Sequence, residues 1–153
     1  MSDATAIPFI EQIKAQAQVL VPLIKAFEAE LGTDRARAIA RNALAGWMRD
    51  FYAQMRADID NPIDLIAAGL PLFADQALEY DVVQQTPDAF DFNVKRCAYA
   101  EFYKTLDEPD LGFLFVCDLD RAMAEGIGDD VDFQRSQTIM QGADHCDFRY
   151  RRR

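Results

Sequence analysis

An α+β fold is predicted by three observations. Apolar residues recur at helical spacing from Ile7 to about Phe73; from Leu78 the period changes to alternation; and no repeat, low-complexity stretch or linker divides the chain. With 153 residues, 50% of them hydrophobic, the chain is long enough for one domain with a core of its own. Residues 1–74 form its helical N-terminal part and residues 75–153 its α+β body.

The first helix is read from Ile7 to Leu31, on Ile10, Ile13, Ala17, Leu20, Leu23/Ile24 and Phe27, with Gly32 as its C-cap. Pro22 predicts a kink near Gln18, whose carbonyl loses its partner. Thr33 or Asp34 caps a second helix that runs to about Ile59 along Ile39, Ala43, Trp47, Phe51 and Met55. Arg35, Arg37, Arg41, Arg49 and Arg56 surround that line, which reads as an amphipathic helix with a solvated cationic face. Trp47 and Phe51 would also suit a homodimer interface built on these helices. Asn61-Pro62 starts a short helix to Phe73, and Pro71 ends or bends it.

Leu78, Tyr80 and Val82 then alternate with Glu79 and Asp81, a strand that turns at Thr86-Pro87-Asp88. In the next strand Phe90, Phe92 and Val94 share one face. If that strand continues, strict alternation sets Arg96 on the apolar face and Cys97 on the polar one; it could equally end at Val94. From Cys97 a helix carries the stripe Tyr99, Phe102, Tyr103 and Leu106. Asp107-Glu108-Pro109 opens another, with its buried line at Leu111, Leu114/Phe115, Leu119 and Met123. After Gly126 and Gly128, a strand from Val131 to Met140 is expected to pair across Gly142 with a terminal strand. There Cys146, Phe148 and Tyr150 face one way, and His145, Asp147 and Arg149 the other. The outcome is helices followed by β-β-α-α-β-β, with a four-stranded antiparallel sheet.

The formal charge of −10 argues against nucleic acid as a partner, because phosphate contacts need a basic surface. The closing Arg149, Arg151, Arg152 and Arg153 are a local exception, read as a solvated tail. No run of about 18 apolar residues suggests a membrane span, and Met1-Ser2-Asp3-Ala4-Thr5 lacks the basic start of a signal peptide. Three cysteines without such a signal argue for reduced thiols and a cytoplasmic location.

The thiols are the main chemical candidates. Cys97, where a strand hands over to a helix, lies near unpaired N–H groups that lower a thiol pKa, making it a candidate nucleophile. Glu101 shares its helix face as a candidate acid or base. Cys117, Asp120 and Arg121 share a face of the later helix, and Cys146 comes from the last strand. Three readings follow. The cysteines could be small buried hydrophobes. Cys97, Cys117 and Cys146 could hold a zinc ion with Asp120 or His145 as fourth ligand, though no Cys-x-x-Cys pair supports it. Or one thiolate could act covalently, with Asp120 or Glu101 as acid/base and with Arg96, Arg149 and Tyr99 holding an anionic substrate. His145, the single histidine, is turned away from the aromatic face and reads as a surface residue. No organic cofactor is expected.

Cys97-Ala-Tyr-Ala-Glu-Phe102, Leu111-Gly112, Cys117-Asp-Leu-Asp120, Phe133-Gln-Arg-Ser-Gln-Thr-Ile139 and Gly142-Ala-Asp-His-Cys-Asp-Phe-Arg149 follow one another. This succession, from about residue 90 to 149, resembles the L-2-amino-thiazoline-4-carboxylic acid hydrolase family. The resemblance implies hydrolytic opening of a small cyclic amidine-like acid at a C–N or C–S bond, giving a carbamoyl-cysteine. The element Gly142, Cys146, Phe148 also resembles the end of 4-vinyl-reductase-type ligand-binding domains. Cysteines there hold a structural zinc beside a small-molecule pocket, but with a different spacing. That second resemblance implies the alternative of a binding or sensing module without turnover.

Overall fold

The structure, a computed structural model, describes residues 6–153. Helix α1 (Phe9–Leu31) and helix α2 (Thr33–Arg56) are joined by Gly32 alone. Gly32 sits at φ +83°, and its N–H donates to the Glu28 carbonyl at 2.9 Å, closing α1 as the sequence suggests. Gly32 is also the residue preceding α2, so neither Thr33 nor Asp34 caps that helix with its side chain. α1 buries Ile10, Ala17 and Ile24, whereas Leu23 and Phe27 are exposed.

The inward face of α2 lies one residue away from the expected line. Ala36 is buried and Ala40, Leu44, Met48 and Tyr52 are half-buried, while Ile39, Trp47, Phe51 and Met55 are exposed. Both lines repeat every four residues, so periodicity alone does not choose between them. Close packing does. α2 crosses the later helix α6 (Leu119–Ile127) so tightly that a Cβ on Gly126 would stand 2.5 Å from the Arg49 carbonyl oxygen. Helix α3 (Pro62–Ala74) begins where the Asn61 side chain accepts from the Ile63 N–H at 2.9 Å. It buries Ile63, Leu65, Ile66 and Leu70 against the sheet.

The sheet contains β1 (Leu78–Thr86), β2 (Ala89–Cys97), β3 (Val131–Gln134) and β4 (Cys146–Arg152), in spatial order β1-β2-β4-β3. All pairs are antiparallel. In β2, Tyr80 opposes Val94 but Glu79 opposes Arg96, so Lys95 is an extra residue in a β-bulge. A single inserted residue reverses the side-chain alternation. Arg96, expected on the apolar face, is therefore turned out and exposed, and Cys97 joins Phe92 and Val94 inside.

The connection after β2 is helix α4 (Ala98–Thr105). The single helix expected after Pro109 proves to be three pieces: helix α5 (Pro109–Gly112), a π-helical turn (Phe113–Cys117) and α6. The last hairpin is also corrected. β3 stops at Gln134, and a long connection with a 3₁₀ turn at Ile139–Gln141 and left-handed Gly142 (φ +99°) leads to β4. The closing arginines are not a loose tail. Arg151 pairs with Asp91, which is 4% exposed, and Arg153 reaches Asp132 at 3.5 Å. Two apolar clusters result, one on the sheet under α3 and one among α1, α4 and the π turn; Leu78, Cys97 and Ile139 touch both. Among the described residues, no helix is long and apolar enough to cross a membrane.

The α2–α6 crossing yields a first test. Gly126→Ala is expected to cost about 1–3 kcal/mol of stability, because Arg49 backbone must move to admit the methyl group. Urea unfolding measures it, and a variant as stable as the parent would contradict the close approach.

Candidate functional site

A cavity of about 170 Å³ lies between the sheet, α2, α3 and the junction of the π turn with α6. Its walls are apolar: Phe92, Val94 and Phe148 from the sheet, and Leu65, Ile66 and Phe73 from α3. Phe92 and Phe148 stack across β2 and β4 with ring centroids 4.6 Å apart. The π turn brings Phe115, Val116 and Cys117 to the wall, and Leu119, Asp120 and Met123 follow. A regular α-helix points at most half of six consecutive residues one way. The wider turn, closed by the Asp118 N–H on the Phe113 carbonyl at 2.8 Å, allows five of Phe115–Asp120 to line one space.

One end of the cavity is polar. Asp120, in the first turn of α6, pairs with Arg135, which stands immediately beyond β3. Arg135 also donates to the Cys117 carbonyl at 3.0 Å, and its guanidinium lies 5.2 Å from the Phe148 ring centroid and 5.7 Å from that of Phe133. Only 9% of the Arg135 side chain is exposed. Burial pushes the Asp120 carboxyl up to about 6, against the opposing pull of Arg135. Burial works against the charge of Arg135, yet Asp120 and Cys117 hold its pKa above the usual arginine value. Tyr52 and Tyr150 also line the cavity, both with pKa values raised, first by burial and then by the charge of Asp120.

All three thiols line this cavity, with Asp120. None is activated. Cys97 is the N-cap of α4 and accepts from the Ala100 N–H at 3.4 Å, the contact expected to lower its pKa. Burial outweighs that bond and pushes the thiol up to about 11. Burial likewise raises Cys146, which accepts from the Ile139 N–H at 3.2 Å. It holds Cys117 well above the ordinary thiol value, reinforced by Asp120. Among the described residues, no three His, Cys, Asp or Glu side chains come together as a metal site would require, so the Cys97, Cys117, Cys146 zinc cluster is not assembled.

The remaining candidates are elsewhere. Arg96 and Glu101 pair with each other at 2.7 Å on the surface, because the bulge turns Arg96 outward. Arg149 lies on the other side of the sheet from the cavity and donates to Asn93 Oδ1 at 2.9 Å and to the Phe92 carbonyl at 3.1 Å. His145 faces Asp144 at 2.5 Å, outside the cavity. Arg121 lies 5.7 Å from the Phe133 ring centroid, in a separate surface depression. Tyr99 does line the cavity, and its hydroxyl donates to the Phe73 carbonyl at 2.7 Å. Arg135 was not singled out from the sequence. Its signal was the alternation Val131, Phe133, Arg135, which puts a charge on the buried face of an edge strand.

Residues 12–150 match the family described as L-2-amino-thiazoline-4-carboxylic acid hydrolase. The chain belongs to that family. The match begins within α1, so membership extends through the helical half and beyond the residues that carried the resemblance. No curated protein matches the chain. Among solved structures, similarity is found to the Fe(II) unliganded H-NOX protein from K. algicida, at 13% identity and TM-score 0.45, covering 88% of this chain and 71% of that one. The phenol-responsive sensory domain of the transcription activator PoxR with phenol is similar at 14% identity and TM-score 0.47, covering 88% and 73%.

The raised thiols have a direct consequence in this family member. Alkylation of Cys97 by iodoacetamide at pH 7.5 is expected to be about a hundredfold slower than that of a free cysteine, and still rising at pH 10. Peptide mapping by mass spectrometry follows it; fast labelling that levels off near pH 7 would contradict a protonated thiol.

Proposed function

We propose that the cavity binds and hydrolyses a small cyclic amidine-like acid of the 2-amino-thiazoline-4-carboxylate type, with Asp120 as the acid–base group. The observation that carries this reading is a carboxyl titrating at about 6, paired with a buried arginine at the polar end of a small apolar cavity. A general base works best when its pKa lies near the working pH.

Charge and size support the substrate class. Among the described residues, the only charged ones lining the cavity are Asp120 and Arg135, which neutralise one another. A ligand of net charge would be desolvated there without compensation. A zwitterion avoids this, setting its amidinium against Asp120 and its carboxylate against Arg135, the role first assigned to Arg96. Cavities of roughly 150 Å³ accept a benzene ring, so about 170 Å³ suits a substituted five-membered ring.

In the reaction, water adds to the amidine carbon and gives its proton to the Asp120 carboxylate. The carbon–sulfur bond of the ring then breaks, Asp120 returns the proton to the departing sulfur, and the added hydroxyl releases the amidinium's extra proton to solvent as it becomes the carbonyl, leaving a carbamoyl-cysteine. This direct route is preferred over attack by Cys97, whose thiol is held protonated. A second reading is a binding or sensing domain without turnover, favoured by walls that are almost wholly apolar and by three protonated thiols.

Incubation with 2-amino-thiazoline-4-carboxylate and mass spectrometry separates the two. Product formation that Asp120→Asn lowers at least a hundredfold supports hydrolysis; undiminished turnover by that variant would remove Asp120 from the chemistry. Tight binding with no product favours the second reading. The base form of Asp120 is the working form, so kcat/KM should fall as pH drops through about 6. In Arg135→Gln the carboxylate loses its partner, and that acidic limb should move to higher pH. A limb that stays in place would separate it from the Asp120–Arg135 pair.

A further inference from the structure

The buried stripe of α3 has a gap. Leu65, Ile66, Leu70 and Phe73 face the cavity, and Gly69 stands among them, three residues after Ile66 and four before Phe73. Glycine is the least favourable helix-interior residue after proline. Two circumstances commonly require it, a left-handed backbone or the close approach of another group. Neither applies. Gly69 is not among the positive-φ glycines, and a Cβ built on it meets nothing within 4 Å. Gly112 and Gly126 are the contrasting cases. A Cβ at Gly112 would stand 2.6 Å from Met140 Sδ and from Tyr103 Cγ, and one at Gly126 would meet Arg49 backbone. At Gly69 the vacant volume is the cavity itself.

We propose that Gly69 is the size-determining residue of the ligand pocket: the space its missing side chain leaves is occupied by the outer part of the ligand. The inference rests on the reading that this cavity binds a small molecule, and it adds which residue limits how large that molecule is. An aliphatic side chain at position 69 would enter the cavity opposite the wall formed by the sheet. Larger ligands would be excluded, while a ring seated at the Asp120–Arg135 end would be spared. Gly46, in the interior of α2, serves as a control. It too meets nothing within 4 Å, but it does not line the cavity.

The test compares two probes that are both uncharged at pH 7.5, 2-aminothiazole and the bulkier 2-aminobenzothiazole, by isothermal titration calorimetry on the full chain. The parent and Gly46→Ala are expected to bind both. Gly69→Leu should weaken the larger probe at least tenfold and the smaller by less than threefold. Should Gly69→Leu fail to fold, Gly69→Ala is read instead, with a preferential loss of at least threefold. Gly69→Ala should also raise Tm by roughly 2–4 °C, as Gly46→Ala does, since alanine suits a helix better. Equal loss of both probes, no loss of either, or a fall in Tm for Gly69→Ala would overturn the proposal. A parent protein that binds neither probe would overturn the cavity reading itself, and this proposal with it.

Discussion

The pairing of β2 with β4 is the constraint on which the rest of the molecule leans. Its inner face stacks Phe92 on Phe148, and Phe133 of β3 stacks on Tyr150 of β4 at 4.7 Å. Phe92, Phe148 and Tyr150 of that aromatic surface are the floor of the cavity, and the surface supports α3. On the outer face the same strands tie Arg151 to Asp91 and Arg149 to Asn93. With register fixed on both faces, one inserted residue has large consequences. The bulge at Lys95 moves a cysteine into the cavity and an arginine out of it.

Burial, rather than proximity to positive groups, sets the chemistry of the cavity. At Cys97 a helix N-terminus and a sulfur-accepting hydrogen bond favour the thiolate, and desolvation still prevails. At Asp120 an arginine partner favours the carboxylate, and desolvation again prevails, raising the group by a similar amount. The two groups start far apart, a carboxyl well below a thiol, so at neutral pH the thiols are protonated while Asp120 is mostly ionised. The folded-state pKa of Asp120 is raised, so its contribution to stability is greatest below the ordinary carboxylate range. That contribution is lost as pH rises through about 6. A carboxylate kept in so unfavourable a place stabilises the fold less than an apolar residue of similar volume would.

Much of this was legible in the chain. The change from helical to alternating period marked where the sheet begins. The alternation of Cys146, Phe148 and Tyr150 fixed which face of β4 meets the cavity, and the spacing of Cys117 and Asp120 put both on one wall. What failed did so for identifiable reasons. A bulge adds one residue without changing composition, so alternation continued past Val94 puts Arg96 and Cys97 on the wrong faces, and the sequence does not say whether the strand continues. A π turn is spelled with ordinary helix residues, so Phe113–Cys117 read as part of one long helix. On α2, two four-residue apolar lines compete, and packing against α6, closest at Gly126, and against α1 decides between them. Arg135 lies in the pattern, but a strand read through to Met140 gives it no special place.

The errors and the site coincide, and the coincidence has a physical cause. Regular strands and helices fill their own interiors, since uninterrupted side-chain stripes interlock with few voids. An enclosed space therefore needs interruptions. Here they are the bulge at Lys95, the π turn at Phe113–Cys117, the stop of β3 before Arg135 and the missing side chain at Gly69. Each breaks a periodic rule from which sequence reasoning draws its expectations, and each borders the cavity directly or through its neighbour. The places where pattern and structure part are thus the places where the chain gives up packing to keep the cavity open.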